Sequence, residues 1–169
     1  MIIYYAPLTL YKKEIILAAT NEGLVFVSAP FETIEDIKKH ISKYEKDIRF
    51  KFSLDKLQPY MEDFEAVANG DKQNYDSPYV LYGTDFQKQV WHALAEIPYG
   101  QTRTYSEIAQ SINRPKAYRA VGTAVGRNPL MLRVPCHRII HKNGSLKGFR
   151  GGMDLKMTLL DKEDVLFEE

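Results

Sequence analysis

The feature that most limits how this 169-residue chain can fold is a change of hydrophobic period near residue 80. Before it, short alternating runs are mixed with two helical patterns. After it, apolar residues recur almost only at helical spacing. Met1–Ala6, Glu14–Thr20 and Leu24–Ala29 read as strands, the last two joined by the hairpin signal Asn21-Glu22-Gly23. Ile34, Ile37 and Ile41 predict a helix over Glu32–Tyr44, and Ile48, Phe50 and Phe52 a half-buried strand over Asp47–Leu54. Met61, Phe64 and Val67 predict a second helix over Leu57–Ala68, whose acids Glu62, Asp63 and Glu65 fit a solvated face better than a metal site. Asp71–Tyr82, with Ser77-Pro78 inside it, is the expected linker.

Beyond the linker, Thr84-Asp85-Phe86-Gln87 is a capping box, in which the Thr hydroxyl and the Gln side chain satisfy free N–H groups at a helix start. That helix is expected to reach Ile97, burying Phe86, Val90, Trp91, Leu94 and Ile97. Thr104-Tyr105-Ser106-Glu107 is a second capping box, opening a short helix to Ile112. Lys116–Val125 follows as a third, with Pro115 at the first helical position, and Met153–Glu163 is the last. Two domains are expected: an α/β scaffold over 1–80 and a mostly helical unit over 81–169.

Charge divides the chain in the same way. Residues 101–150 hold ten Lys and Arg against one acid, Glu107, for a net +9, although the whole chain is only +1. Two short helices joined by a tight turn lie inside this block and match a helix-turn-helix, which together with the charge points to a polyanionic partner. Ala117, Ala120, Gly122 and Ala124 make the second helix small and apolar, better suited to close minor-groove contact than to reading base edges. The N-terminus lacks the basic start and apolar core of a signal peptide, and no run approaches a membrane span. A soluble, cytoplasmic protein is expected.

The single cysteine, Cys136, lies in Val134-Pro135-Cys136-His137-Arg138-Ile139-Ile140 and excludes an internal disulfide or a multi-Cys zinc site. A thiol attacks as thiolate, and positive charge or a His base lowers its pKa. If the segment is extended, Cys136 and His137 point to opposite faces, so His137 must act through a water or through a tight turn. Most lone cysteines are small buried hydrophobes. A DNA-binding regulator would use the basic block but leaves Cys136 and His137 without a role. A cysteine hydrolase would use them but has no need of the block.

Taken in order, Phe86–Trp91, Ile97-Pro-Tyr-Gly100, Thr104–Ala109, Arg119-Ala-Val-Gly122, Arg127-Asn128-Pro129, Pro135-Cys136-His137-Arg138 and the stretch from Gly144 to Glu163 resemble the O6-alkylguanine-DNA alkyltransferases, also called methylated-DNA–protein-cysteine methyltransferases. The resemblance covers roughly residues 83–165; the first 80 residues match only in length and α/β character. It implies a ribonuclease H-like N-terminal sheet with helices, and a C-terminal winged helix-turn-helix-like domain. It also implies a single-turnover repair protein that flips O6-alkylguanine, and expectedly O4-alkylthymine, from duplex DNA and takes the alkyl group onto its own cysteine.

By position, Cys136 matches the acceptor, His137 the base acting through a water, and Glu163 the acid orienting that base. Tyr105 matches the hydroxyl near the flipped base and its phosphate, Asn128 the hinge of the Cys loop, and Arg119 the arginine that fills the gap in the duplex. Lys116, Ala120 and Arg127 join Tyr105 and Arg119 as DNA contacts. Val125, Arg138, Ile139, Phe149, Arg150, Gly151 and Lys156, with Tyr105, are the expected substrate pocket. Phe149 departs from the tyrosine usual there, which removes one pocket hydroxyl. Some relatives hold an N-terminal zinc through Cys and His; this chain has no Cys there, so no metal and no cofactor are expected. The expected partner is double-stranded DNA carrying O6-alkylguanine, met by a monomer with no membrane association. The alternative is a non-catalytic DNA-binding regulator or lesion-flagging relative, against which Cys136 argues.

Overall fold

A computed structural model describes residues 1–144 and 148–165. The chain forms two compact units: Met1–Tyr82 with Pro129–Arg133, and Gly83–Asn128 with the chain from Val134 onward. In the first unit, β1 (Ile2–Leu10), β2 (Lys13–Thr20), β3 (Gly23–Val27) and β4 (Arg49–Phe52) form a sheet of order β3-β2-β1-β4. It is mixed, because β1 runs antiparallel to β2 and parallel to β4. Successive side chains of a strand face opposite ways. Ile3 therefore packs with Ile37 and Ile41 of α1 (Ile34–Ile41) on one face, while Tyr4 meets Lys56 of α2 (Leu54–Ala68) on the other.

Two sequence expectations, the extents of β1 and β4, shift here. β1 continues four residues past Ala6, because Pro7 lies beyond Tyr5, the last β1 residue paired with β4, where one side of the strand has no ladder to lose. The β1–β2 turn is Tyr11-Lys12, with φ of 51° and 62°. That is the paired left-handed geometry of a tight hairpin, reached without the usual Asn-Gly. β4 is shorter than expected and largely exposed at the sheet edge, with the Phe52 and Phe50 rings set against Tyr5 at 5.8 and 6.3 Å.

The second unit is built on α3 (Asp85–Ala95), α4 (Tyr105–Ser111), α5 (Tyr118–Gly126) and α6 (Met153–Lys162). Both capping boxes close as read: the Thr84 hydroxyl accepts from Gln87 N at 3.1 Å and the Thr104 hydroxyl from Glu107 N at 3.1 Å. Trp91 is fully buried and donates from Nε1 to Ala124 O at 2.8 Å, joining α3 to α5. Gly83 lies flat against the Trp91 ring, where no side chain would fit. Phe86 is only half-buried and lies under Arg114. Pro115 and Lys116 form a turn rather than the first helical residues, and α5 starts after Ala117. β5 (Arg103–Thr104) pairs in parallel with β6 (Ile139–Ile140). Among the described residues, no helix is long and apolar enough to cross a membrane.

The segment 71–82 is not a free linker. Leu24 N donates to Pro78 O at 2.9 Å and Val80 N to Leu24 O at 2.8 Å, so the segment lies along β3. Val27 N donates likewise to Pro129 O at 2.8 Å, which brings Pro129–Arg133 into the first unit; division into contiguous blocks leaves this return out. Asp63 anchors the segment. It is buried rather than solvated, and accepts from Asp76 N, from Ser77 N at 2.9 Å, from the Ser77 hydroxyl and from Lys72. Burial pushes its carboxyl up, but the Lys72 ammonium, the Ser77 hydroxyl and the two N–H groups outweigh that and hold it below the usual carboxylate range. A depressed folded value stabilises the fold above the unfolded value, near 3.9, and that contribution is lost as pH falls through the lower folded one. Asp63→Asn should therefore lower unfolding free energy at neutral pH by about 2 kcal/mol. It should also flatten the acid limb of stability against pH. Denaturant titrations at several pH values check both.

Candidate active site

The segment around Cys136 is neither extended nor a regular helix. Pro135 leads into a single 3-10 turn, Cys136–Arg138, closed by Arg138 N donating to Pro135 O at 3.0 Å. The expectation of an extended run thus gives way to its alternative, a tight turn. The fixed φ of Pro135 and the β-branched Ile139 and Ile140 confine the turn to three residues. Cys136, His137 and Arg138 are all buried.

The turn aims His137 and Arg138 at the C-terminal end of α6, where Glu163 is the capping residue. His137 Nε2 lies 2.5 Å from Glu163 Oε2, and Arg138 Nε donates to Oε1 at 2.7 Å. Gly100 N donates to Oε1 at 3.3 Å, and Arg138 Nη1 donates to Ile97 O at 2.7 Å. Burial pushes the Glu163 carboxyl up, but the hydrogen bond from His137 and the Arg138 guanidinium outweigh it and hold it at about 2. An ionised carboxylate only accepts, so His137 Nε2 carries the hydrogen. Nδ1 is then a bare lone pair; it is buried and has no hydrogen-bond partner among the described residues. Burial, exceeding the pull of Glu163, lowers the His137 pKa and keeps the ring neutral.

The thiol is shaped from several elements. Burial pushes the Cys136 pKa up; a hydrogen bond with the Asn128 side chain and the charges of Arg150 and Lys156 act the other way. Asn128, just past the end of α5, also donates from Nδ2 to Val134 O at 2.9 Å, which ties α5 to the turn. Lys156 is buried on α6 and donates from Nζ to Ile139 O at 2.5 Å; burial lowers its pKa to about 8. Its ammonium stands 6.0 Å from the Phe149 ring. Tyr105, the first residue of α4, lies with its ring 5.2 Å from that of His141, and the oxygen of its hydroxyl faces Gly148. Burial and the neighbouring Cys136 raise the Tyr105 pKa, so it remains a phenol.

The residues expected to act together therefore meet: Cys136, His137, Glu163, Asn128, Tyr105 and Lys156 share one neighbourhood. Val125 and Ile139 are buried in the same unit, and Phe149, Arg150 and Gly151 are half-buried on the loop entering α6. Arg138 differs from expectation: its guanidinium is committed to Glu163 and Ile97 O rather than to a substrate wall. Lys116, Arg119, Ala120 and Arg127 are all exposed, with the Arg119 guanidinium 6.0 Å from the ring of exposed Tyr118. Sequence reading missed the Gly100 N–H on Glu163 and the His141 ring on Tyr105. The turn at Pro98-Tyr99-Gly100 is visible in the sequence, but the direction of its amide is not.

Known proteins resemble this chain along nearly all of its length. The 6-O-methylguanine DNA methyltransferase DNA-binding domain matches residues 85–165. The inducible methylated-DNA–protein-cysteine methyltransferase of Bacillus subtilis is 45% identical over 166 residues, covering 95% of this chain and 90% of that protein. The crystal structure of Mycobacterium tuberculosis O6-methylguanine methyltransferase superposes with a TM-score of 0.83 at 35% identity, covering 95% of this chain and 92% of that one. The same protein in complex with DNA gives 0.80 at 33% identity, with the same coverage of both chains. The match runs through both units, at an identity where fold and family go together, and the chain belongs to the 6-O-methylguanine DNA methyltransferase family.

Proposed function

We propose that this chain repairs O6-alkylguanine in duplex DNA by moving the alkyl group, once and irreversibly, onto Cys136. The observation that carries the reading is the His137 ring, next to Cys136 in the chain: Nε2 is held by an ionised Glu163, and the buried Nδ1 has no hydrogen-bond partner among the described residues. The thiol proton passes through a water to Nδ1. The imidazolium so formed is stabilised by Glu163, the orienting arrangement of a carboxylate behind a histidine base. The sulfur then attacks the alkyl carbon, the carbon–O6 bond breaks, and the base departs with the electron pair as the guanine anion, which then takes up a proton from water. Tyr105, kept as a phenol, donates a hydrogen bond to the base as charge develops on it. The thioether stays, since the chain has no second cysteine to resolve it.

Finer assignments follow from the same reading. The first unit is a ribonuclease H-like scaffold domain, and the second a winged helix-turn-helix-like domain that binds DNA and accepts the alkyl group. α4 and α5 form the helix pair, with α5 pressed into the minor groove. Lys116 and Arg127 contact phosphates, Ala120 lies against the groove, and Arg119 enters the base stack as the damaged nucleotide turns out. Val125, Ile139, Phe149, Gly151 and Lys156 surround the flipped base, and Arg138 serves the site by holding Glu163. O4-alkylthymine is a second substrate. The protein works as a cytoplasmic monomer.

Mixing the protein with O6-methylguanine duplex should add one methyl group to its intact mass, and Cys136→Ala should bind the duplex without gaining it. A Cys136→Ala protein that still removes the methyl group would end the assignment. Glu163→Gln should slow transfer by about 100-fold, the scale of a misplaced general base, while DNA affinity stays close to wild type. Single-turnover rates beside a binding isotherm check this, and equal rates would remove Glu163 from the mechanism. Arg119→Ala should slow repair in duplex far more than reaction with free O6-benzylguanine, which needs no flipping. A uniform loss of duplex affinity, with a salt slope lower by roughly one, would instead mark Arg119 as a phosphate contact.

A further inference from the structure

The roles above leave Arg150 with no part beyond a pocket wall, yet its surroundings are unusual for one. It sits on the loop Gly148–Gly152, whose end glycines have φ of 95° and 96°, a backbone other residues rarely adopt. Its half-buried guanidinium donates from Nη2 to the Asn128 carbonyl at 3.0 Å. That carbonyl stands just past the C-terminal end of α5, where the helix dipole favours a cation. The Asn128 side chain meanwhile bonds Val134 O and the Cys136 thiol, so a single residue links Arg150 to the nucleophile.

The groups around the sulfur come from four elements besides its own turn: Arg150 from the loop, Lys156 from α6, Asn128 from the end of α5 and Tyr105 from α4. His137 and Arg138 belong to the turn itself, and Arg138 is spent on Glu163. The two cations acting on the thiol differ in kind. Lys156 is buried, with a pKa of about 8, so its charge fades as the solution turns alkaline. A guanidinium does not lose its proton in proteins.

We propose that Arg150 is a positioning residue for the nucleophile: it clamps the loop to Asn128, whose side chain bonds the Cys136 thiol, and so holds a permanent positive charge on the Cys136 side of the site. The inference rests on the reading of Cys136 as the nucleophile, but its test needs neither DNA nor an alkylated base. Cys136 is the only cysteine, so intact mass after brief exposure to iodoacetamide reports this thiol alone. Alkylation rates would be measured against pH for wild type, Arg150→Gln and Arg150→Lys. In Arg150→Gln the midpoint should rise by roughly one pH unit, with a fall of up to about tenfold in rate at neutral pH. Arg150→Lys, which keeps the charge, should return the midpoint to that of wild type. Arg150→Met offers the same neutral comparison if the Gln variant does not fold. An unchanged midpoint in the neutral variants overturns the proposal. So does a Lys variant shifted as far as they are, because loop placement rather than charge would then be responsible. Either result leaves alkyl transfer to Cys136 standing, and a Cys136 that takes no alkyl group from DNA would leave the titration valid.

Discussion

The second unit depends on one buried carboxylate. Glu163 takes a hydrogen bond from His137, one from Arg138 and one from the Gly100 amide, and Arg138 goes on to Ile97 O. Three pieces of chain far apart in sequence meet here: the turn Ile97–Gly100 after α3, the Cys136 turn and the end of α6. A buried ion pair repays its desolvation only when geometry and extra hydrogen bonds are both good, and removing one partner leaves an uncompensated charge. Here both oxygens are engaged, and Tyr99 adds a bond from its hydroxyl to Lys162 O at 2.9 Å. The network holds the turn that carries the thiol, so the placement of Cys136 and the protonation of His137 have one physical cause.

Burial has opposite consequences for the partners of that network. It raises the pKa of the thiol and lowers that of the imidazole, which favours a neutral pair at rest. It also pushes the Glu163 carboxyl up, against the larger opposing effect of His137 and Arg138. A neutral thiol beside a neutral, oriented base is a resting arrangement in which charge appears only when the proton moves. That protects a cysteine that can be used once, since the thiolate is the form that reacts with electrophiles and oxidants.

The first unit solves a different problem. β3 would be an open edge of the sheet, and a bare edge invites pairing with other chains. Two returning segments cover it: 78–80 at Leu24, pinned through Asp63 and Ser77, and 129–133 at Val27. Arg133 completes the arrangement, donating to Ser77 O at 2.9 Å and lying 4.6 Å from the Tyr79 ring. The opposite edge, β4, is short and carries Arg49 and Lys51, another common way to blunt an edge.

Much of this was legible in the sequence, because local chemistry decided it. Hydrophobic period placed α1, α2, α3 and α6, and the capping boxes at Thr84 and Thr104 set the starts of α3 and α4 to the residue. The lone Cys136 beside His137, within a run of ten cations and one acid, already indicated a nucleophile near a polyanion. What only the tertiary structure decided depends on pairs distant along the chain, whose energies no local pattern records. Pro135 announces a turn, but whether Cys136–Arg138 runs on as a strand or coils into a 3-10 turn depends on Glu163, 26 residues beyond His137. Asp63 looks like one acid among three on a helix face, and it is buried because the N–H groups of Asp76 and Ser77 arrive over it. Arg138 reads as a pocket cation and becomes a structural one, because a buried carboxylate must be paired wherever the fold encloses it.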